Sequence, residues 1–406
     1  MQMEESRSDK ICPTEILLYF CNGVVRLGGA ARNLKTFMTM SEKESNNTPG
    51  TQPECMQPTN VARNQKIGIL ANYPDSEETR ILLTPEACGM IVSSGHHVAI
   101  EAGLGIDINF SDEDYSQYGV EVVSRDEALA MPLVFSFRPL TAADIRKMQP
   151  GAALICMLDN TLFDRKVIEA LLERRITLGC LNNMASHNEE PVFADVIDEI
   201  DGRAAIMYAE DHLSFLGGGK GVLIAGVAGI NPCEILLIGT GTKINYAAIS
   251  ALAVGASVTI MDNDVSALQL ARQFCGQSVT TCSIHPKVLL NRVKTADVII
   301  MDHCTRDFEM PRNLLGAMKP NVYLLDLAEN EPSQSVPRTV AMAMSNILVN
   351  FIDEMAMKNG IDGMITTTPG VQDGIVTYRG KLVDKLISSY LEMHGVDLSL
   401  LIAGGN

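Results

Sequence analysis

From Lys66 onward, apolar residues fall in short blocks separated by longer stretches of mixed character. Lys66–Leu70, His97–Glu101, Leu133–Ser136 and Ala152–Met157 read as strands, and the segments between them have helical composition. Thr84 followed by Pro85 marks a helix start, with a hydroxyl at the N-cap and a proline at the first helical position. Strands alternating with helices predict a parallel sheet with crossover helices. Phe193–Leu216 carries a helical period with few breakers. A second alternating region follows over Glu234–Ala328, and Val336–Asn359 reads as another long helix. The expected fold class is α/β: two Rossmann-like parallel-sheet domains joined by long interdomain helices, the chain returning at its end to the first domain. The expected division is 65–192 plus 340–406 for the first domain and 193–339 for the second.

Residues 1–64 break the pattern. Ser41–Asn64 is rich in Ser, Asn, Thr, Pro and Gln without a hydrophobic period, which predicts a disordered N-terminal extension. The first forty residues are either a flexible leader or lie upstream of a true start at Met38 or Met40.

Composition narrows the partners. The 406 residues are 46% hydrophobic, with 5% aromatic residues and no Trp, which fits aliphatic cores. A net charge of −17 without a basic stripe argues against nucleic acid and anionic membrane surfaces. No apolar run reaches the roughly 18 residues of a membrane-spanning helix, and no signal peptide is supported. Ten Cys without a C-x-x-C pair fit a reducing cytoplasm and no zinc site. Asp302-His303-Cys304 lacks partner ligands and reads as incidental, so no metal is expected.

One segment carries chemistry. Ile235–Ile238 is a strand, Gly239-Thr-Gly241 follows at once, a helix runs over Asn245–Val254, and a strand over Ser257–Met261 ends in Asp262. A dinucleotide site needs these parts: a tight glycine turn, a helix N-terminus facing the pyrophosphate, and an acid for the ribose hydroxyls. Gly239, Gly241, Thr242 and Asp262 are the candidate cofactor residues, and Asp262 favours NAD over NADP because a 2′-phosphate would face a carboxylate. Ile244 stands where G-x-G-x-x-G has its third small residue; either the helix shifts to accept it or the pyrophosphate is pushed outward. The competing reading is a Rossmann-like sheet whose loop binds nothing.

Several blocks resemble the alanine dehydrogenase/pyridine nucleotide transhydrogenase family. They are Thr79-Arg-Ile-Leu-Leu-Thr-Pro85, Gly95-His-His-Val98 with Glu101-Ala-Gly-Leu-Gly105, and Phe110-Ser-Asp-Glu-Asp-Tyr115. Gly202-Arg203, Gly218-Gly-Lys-Gly221 with Gly226-Val-Ala-Gly229, Val336-Pro-Arg-Thr339 and Gly374-Ile-Val-Thr-Tyr-Arg-Gly-Lys381 follow in the family's order. The resemblance runs from Lys66 to about Leu401. It implies an NAD site in an interdomain cleft, a homo-oligomer (a hexamer in the family) and interconversion of L-alanine with pyruvate and ammonia.

Carried over by position, the family's substrate-carboxylate arginine is Arg80 and its substrate lysine is Arg138. Its catalytic histidine falls on Asp159 and its catalytic aspartate on Asn330. A serine near the nicotinamide becomes Asp198, which sets a negative charge beside the cofactor phosphates. A carboxylate at Asp159 would be repelled by the substrate's own unless protonated, and burial, by raising its pKa, would restore an acid, whereas an amide at Asn330 orients but does not exchange protons. The segment that follows this position in the family is missing: Asn330 reaches Val336 almost directly. Three readings stay open: an NAD-dependent alanine dehydrogenase with degenerate proton handling, a catalytically inactive NAD-binding paralogue, and an opine-type reductase of the carboxyethyl-ornithine kind.

Overall fold

The computed structural model describes residues 64–185, 191–302 and 310–403. Apart from Asn64, the expected N-terminal extension lies outside the described residues, as do His303 and Cys304.

Two sheets form. The first contains β1 (Lys66–Ile69), β2 (His97–Glu101), β3 (Glu121–Val123), β4 (Leu133–Phe135), β5 (Ala153–Cys156) and β6 (Thr177–Cys180). The second contains β7 (Glu234–Ile238), β8 (Ser257–Asp262), β9 (Thr280–Ser283), β10 (Val298–Met301) and β11 (Tyr323–Asp326). After the second sheet, β12 (Ile375–Tyr378) and β13 (Lys381–Leu382) rejoin the first. Its spatial order is β13-β12-β6-β5-β4-β1-β2-β3, parallel except where β12 meets β6 and β13. The second sheet runs β11-β10-β7-β8-β9, parallel throughout. The protein is thus α/β with two parallel-sheet domains.

In both sheets the order reverses beside the first strand, between β1 and β4 in one and between β7 and β10 in the other. Such switch points open a crevice at the carboxyl ends of the strands, where ligands of doubly wound folds bind. Central strands such as β4, β5 and β10 are buried along their whole length, as sheets covered on both faces require.

Four helices matter for the site. α1 (Pro85–Ser93) begins as its sequence predicts, the Thr84 hydroxyl accepting from the Ala87 amide. α2 (Val192–Leu213) and α4 (Pro337–Met357) are the two long helices. α3 (Thr242–Ala253) follows β7 and starts three residues before the expected Asn245, because the chain turns helical directly after Gly241. Gly202 lets α2 approach α3 closely: a Cβ there would lie 2.2 Å from the carbonyl oxygen of Lys243. By length and composition α4 is the one helix among the described residues able to cross a membrane. Val340, Met344, Leu348, Ile352 and Met355 are nonetheless buried in the core of the first sheet.

Candidate active site

The crevice of the second sheet is shaped for a close-approaching ligand. Gly239 leaves β7 with φ +112°, and a Cβ there would lie 2.9 Å from the Asp302 carbonyl oxygen at the end of β10. Gly241 caps α3 without a side-chain hydrogen bond, so among the described residues the first amides of this 12-residue helix, from Thr242 onward, have no side-chain acceptor. These features fit a pyrophosphate, which binds helix N-terminal amides and the positive end of the helix dipole. Ile244, at the irregular third position of the fingerprint, is fully buried in the core of this sheet, so the start of α3 accepts a large side chain there.

The expected ribose ligand is less open. Asp262 is only 1% exposed. Its Oδ2 accepts from the Thr240 hydroxyl at 2.9 Å and its Oδ1 from the Asp264 amide at 2.8 Å. It therefore holds the glycine turn to the end of β8, and a ribose would have to displace Thr240 to reach it.

Asp198, on α2, faces the start of α3. Its Oδ1 is 3.8 Å from the Lys243 ammonium, which also meets Asp201 Oδ2 at 3.0 Å and the Leu327 carbonyl oxygen at 3.3 Å. Burial pushes the Asp198 carboxyl up to about 6 despite Lys243, and Asp201 and Asp302 add to the rise. The charge expected to trouble a cofactor phosphate is thus partly offset by a lysine that sequence reading missed.

The crevice of the first sheet holds the two arginines. Arg80 stands in the loop after β1 and Arg138 in the loop after β4. Arg80 is 1% exposed. Its Nε and one terminal nitrogen donate to both oxygens of Glu78, at 2.8 and 2.7 Å, and its other terminal nitrogen donates to the Ser333 hydroxyl at 2.7 Å. Arg138 donates through Nε to Glu78 Oε2 at 2.7 Å and through a terminal nitrogen to Glu331 Oε2 at 2.6 Å. Arg80 donates to that same Glu331 oxygen. Both guanidinium groups are therefore already paired, by Glu78 from beneath and by Glu331 from the loop after β11. Burial pushes the Glu78 carboxyl up, but the hydrogen bonds and charge of Arg80 outweigh it and hold it below the usual range. For Glu331 burial is likewise outweighed, by the charges of Arg80 and Arg138, and the carboxyl is held at about 2.

The two positions expected from the sequence to handle protons, Asp159 and Asn330, lie near this pair. Asp159 follows β5, caps a short 3-10 turn by accepting from the Thr161 amide at 2.7 Å, and lies 3.8 Å from an Arg138 terminal nitrogen. Its side chain is partly exposed, at 19%, and borders an arginine. Asn330 donates its amide to the Asp326 carbonyl oxygen at 2.7 Å, closing the turn after β11. Arg138, Tyr208, Ala328, Asn330, Glu331 and Gln334 line a cleft of about 630 Å³.

A continuous polar path joins the two crevices. Lys243 pairs with Asp201, which is fully buried and accepts from the Ser333 amide at 2.8 Å; Ser333 in turn accepts from Arg80. Glu78, Asp201, Lys243, Glu331 and Ser333 escaped sequence reading. Only Glu78, two residues before Arg80, offered a local signal.

Comparison with known proteins agrees with this arrangement. The family described as "Alanine dehydrogenase/PNT, N-terminal domain" matches residues 68–194, and "Alanine dehydrogenase/PNT, C-terminal domain" matches 205–330. An alanine dehydrogenase of Mycobacterium tuberculosis is 27% identical over 363 residues, covering 80% of this chain and 96% of its own. Alanine dehydrogenase 2 of Staphylococcus aureus is 24% identical, covering 81% and 97%. Among solved structures, an L-alanine dehydrogenase superposes with TM-score 0.72 at 22% identity over 80% of this chain and 99% of its own. A transhydrogenase from Sinorhizobium meliloti gives 0.65 at 17%, over 79% and 100%.

Proposed function

Because the chain belongs to the alanine dehydrogenase/PNT family, we propose that it binds NAD at the start of α3 and has lost the rapid alanine turnover of the relatives it resembles. The nicotinamide ring, when bound, supplies hydride chemistry, and the protein supplies position and proton handling. Gly239 admits the pyrophosphate, the amides at the start of α3 bind it, and Lys243 offsets part of the negative charge of Asp198 nearby. The acidic surroundings of Asp262 disfavour the extra phosphate of NADP.

The observation that carries the second half is the side-chain amide of Asn330, bound to the Asp326 carbonyl oxygen. An amide does not exchange a proton at neutral pH, and Asp159 is engaged by the Thr161 amide and borders Arg138. Losing one matched acid/base group costs about 10²–10⁴-fold in rate, and two positions are altered.

The test is a fluorescence titration with NADH, followed by pyruvate and ammonium. Saturable binding without NADH oxidation is expected. Oxidation at the rate of an alanine dehydrogenase would sink the reading of lost turnover, and absence of saturable binding would sink the cofactor assignment.

A further inference from the structure

Glu331 is the residue whose position the family resemblance does not account for. It sits in the shortened connection between β11 and α4, and a single oxygen, Oε2, is shared by Arg80 and Arg138. Two guanidinium forks converging on one carboxylate form the geometry with which proteins recognise a small carboxylate ligand. The loop of residues 330–336 holds that carboxylate in place through the hydrogen bond from Ser333 to Asp201. The Glu331 side chain keeps 38% of its exposure, against 3% for Glu78, so it closes the seat from the cleft side while Glu78 forms its floor.

We propose that Glu331 is a built-in occupant of this carboxylate seat and decides which ligands enter: a free small monocarboxylate binds only by displacing it. This rests on the reading that Arg80 and Arg138 face the substrate. The seat holds two positive charges and, counting Asp159, three carboxylates, so a further carboxylate meets a surplus of like charge. A tethered group competes at an effective concentration of about millimolar or above, enough to exclude a free ligand of comparable affinity.

The test is calorimetric titration of the full chain with pyruvate, without nucleotide. The wild-type protein should give no saturable heat at millimolar pyruvate. Glu331→Ala should bind it at least about tenfold more tightly, the factor set by removal of the tethered competitor. Glu331→Gln, which keeps the side chain's shape, should gain in the same direction and decides the matter if the alanine variant does not fold. Adding Arg138→Ala to Glu331→Ala should abolish the gain. Equal pyruvate affinity in the wild-type protein and the folded Glu331 variant, or a gain that survives loss of Arg138, overturns the proposal. An NADH titration of the same samples reads the cofactor assignment separately, so failure of one does not imply failure of the other.

Discussion

Arg80 is the bulkiest of the fully buried side chains among the described residues, and every hydrogen bond described for its guanidinium ends on Glu78, Glu331 or Ser333. Removing one partner of such a buried pair leaves the other charge without compensation. Arg80→Ala should therefore cost about 3–5 kcal/mol of stability, measured by urea unfolding at pH 7. Glu78 and Glu331 have folded pKa values below their ordinary 4.5, so they bind fewer protons folded than unfolded. Their contribution is complete above that ordinary value and is lost as pH falls towards about 2, the folded value of Glu331. Unfolding between pH 5 and pH 3 should accordingly be steeper in pH for the wild-type protein than for Arg80→Ala. Asp198 has the opposite sign. Its carboxyl is raised to about 6, so folded protein binds more protons, and stability is lost as pH rises from about 4 through 6. Asp198→Asn should raise the melting temperature at pH 7.5, lose that advantage at pH 4, and tighten NADH binding. Equal melting curves at pH 7.5 would show that Lys243 fully offsets the charge. At this scale the sequence offered residue types but not pairings: Glu331 lies 251 positions from Arg80, and no local period reports such a contact.

At the scale of elements, the strands and long helices were legible because buried strands read as short apolar blocks and long helices carry a regular period. The boundaries of α2 and α4 moved by one to three residues where the terminal turns are set by Pro191, Pro337 and neighbouring backbone hydrogen bonds. Asp262 was placed correctly at the end of β8, but its hydrogen bonds to Thr240 and Asp264 were not visible in a motif. The Gly202-Arg203 block, noted only as a family resemblance, has a packing cause: α2 meets α3 backbone to backbone there. Gly202→Ala should push the two helices apart, destabilise the protein by about 1–3 kcal/mol, and weaken NADH binding because the start of α3 moves with it. Unchanged melting and unchanged nucleotide affinity would show that the helices tolerate a Cβ at this crossing.

Over the whole molecule, the two-sheet plan and the return of the chain to the first sheet were readable from the alternation of blocks. The site was only half readable, because it is assembled from loops after β1, β4, β5, β7 and β11 that meet in space alone. The glycine-rich segment after α2 leaves Phe215 82%, Leu216 97%, Leu223 63% and Ile230 67% exposed, a concentration of apolar surface typical of association sites. We expect a homo-oligomer that uses this segment. Light scattering should report a mass above 44.0 kDa for the wild-type chain and a smaller assembly for Leu216→Glu. A monomeric wild-type protein would contradict the expectation.

The antiparallel pairing of β12 with β6 also sets a timetable for synthesis. Thr177–Cys180 leaves the ribosome long before Ile375–Tyr378, its partner on that edge. The intervening chain of roughly two hundred residues takes about 10–40 s to translate at ordinary rates. Until then β6 presents unpaired backbone groups to its surroundings, a template for strand addition by other chains. The nascent first domain is therefore expected to gain from holdase protection during the interval in which the second sheet is made. Chains released before Ile375 should aggregate even though their second sheet is complete.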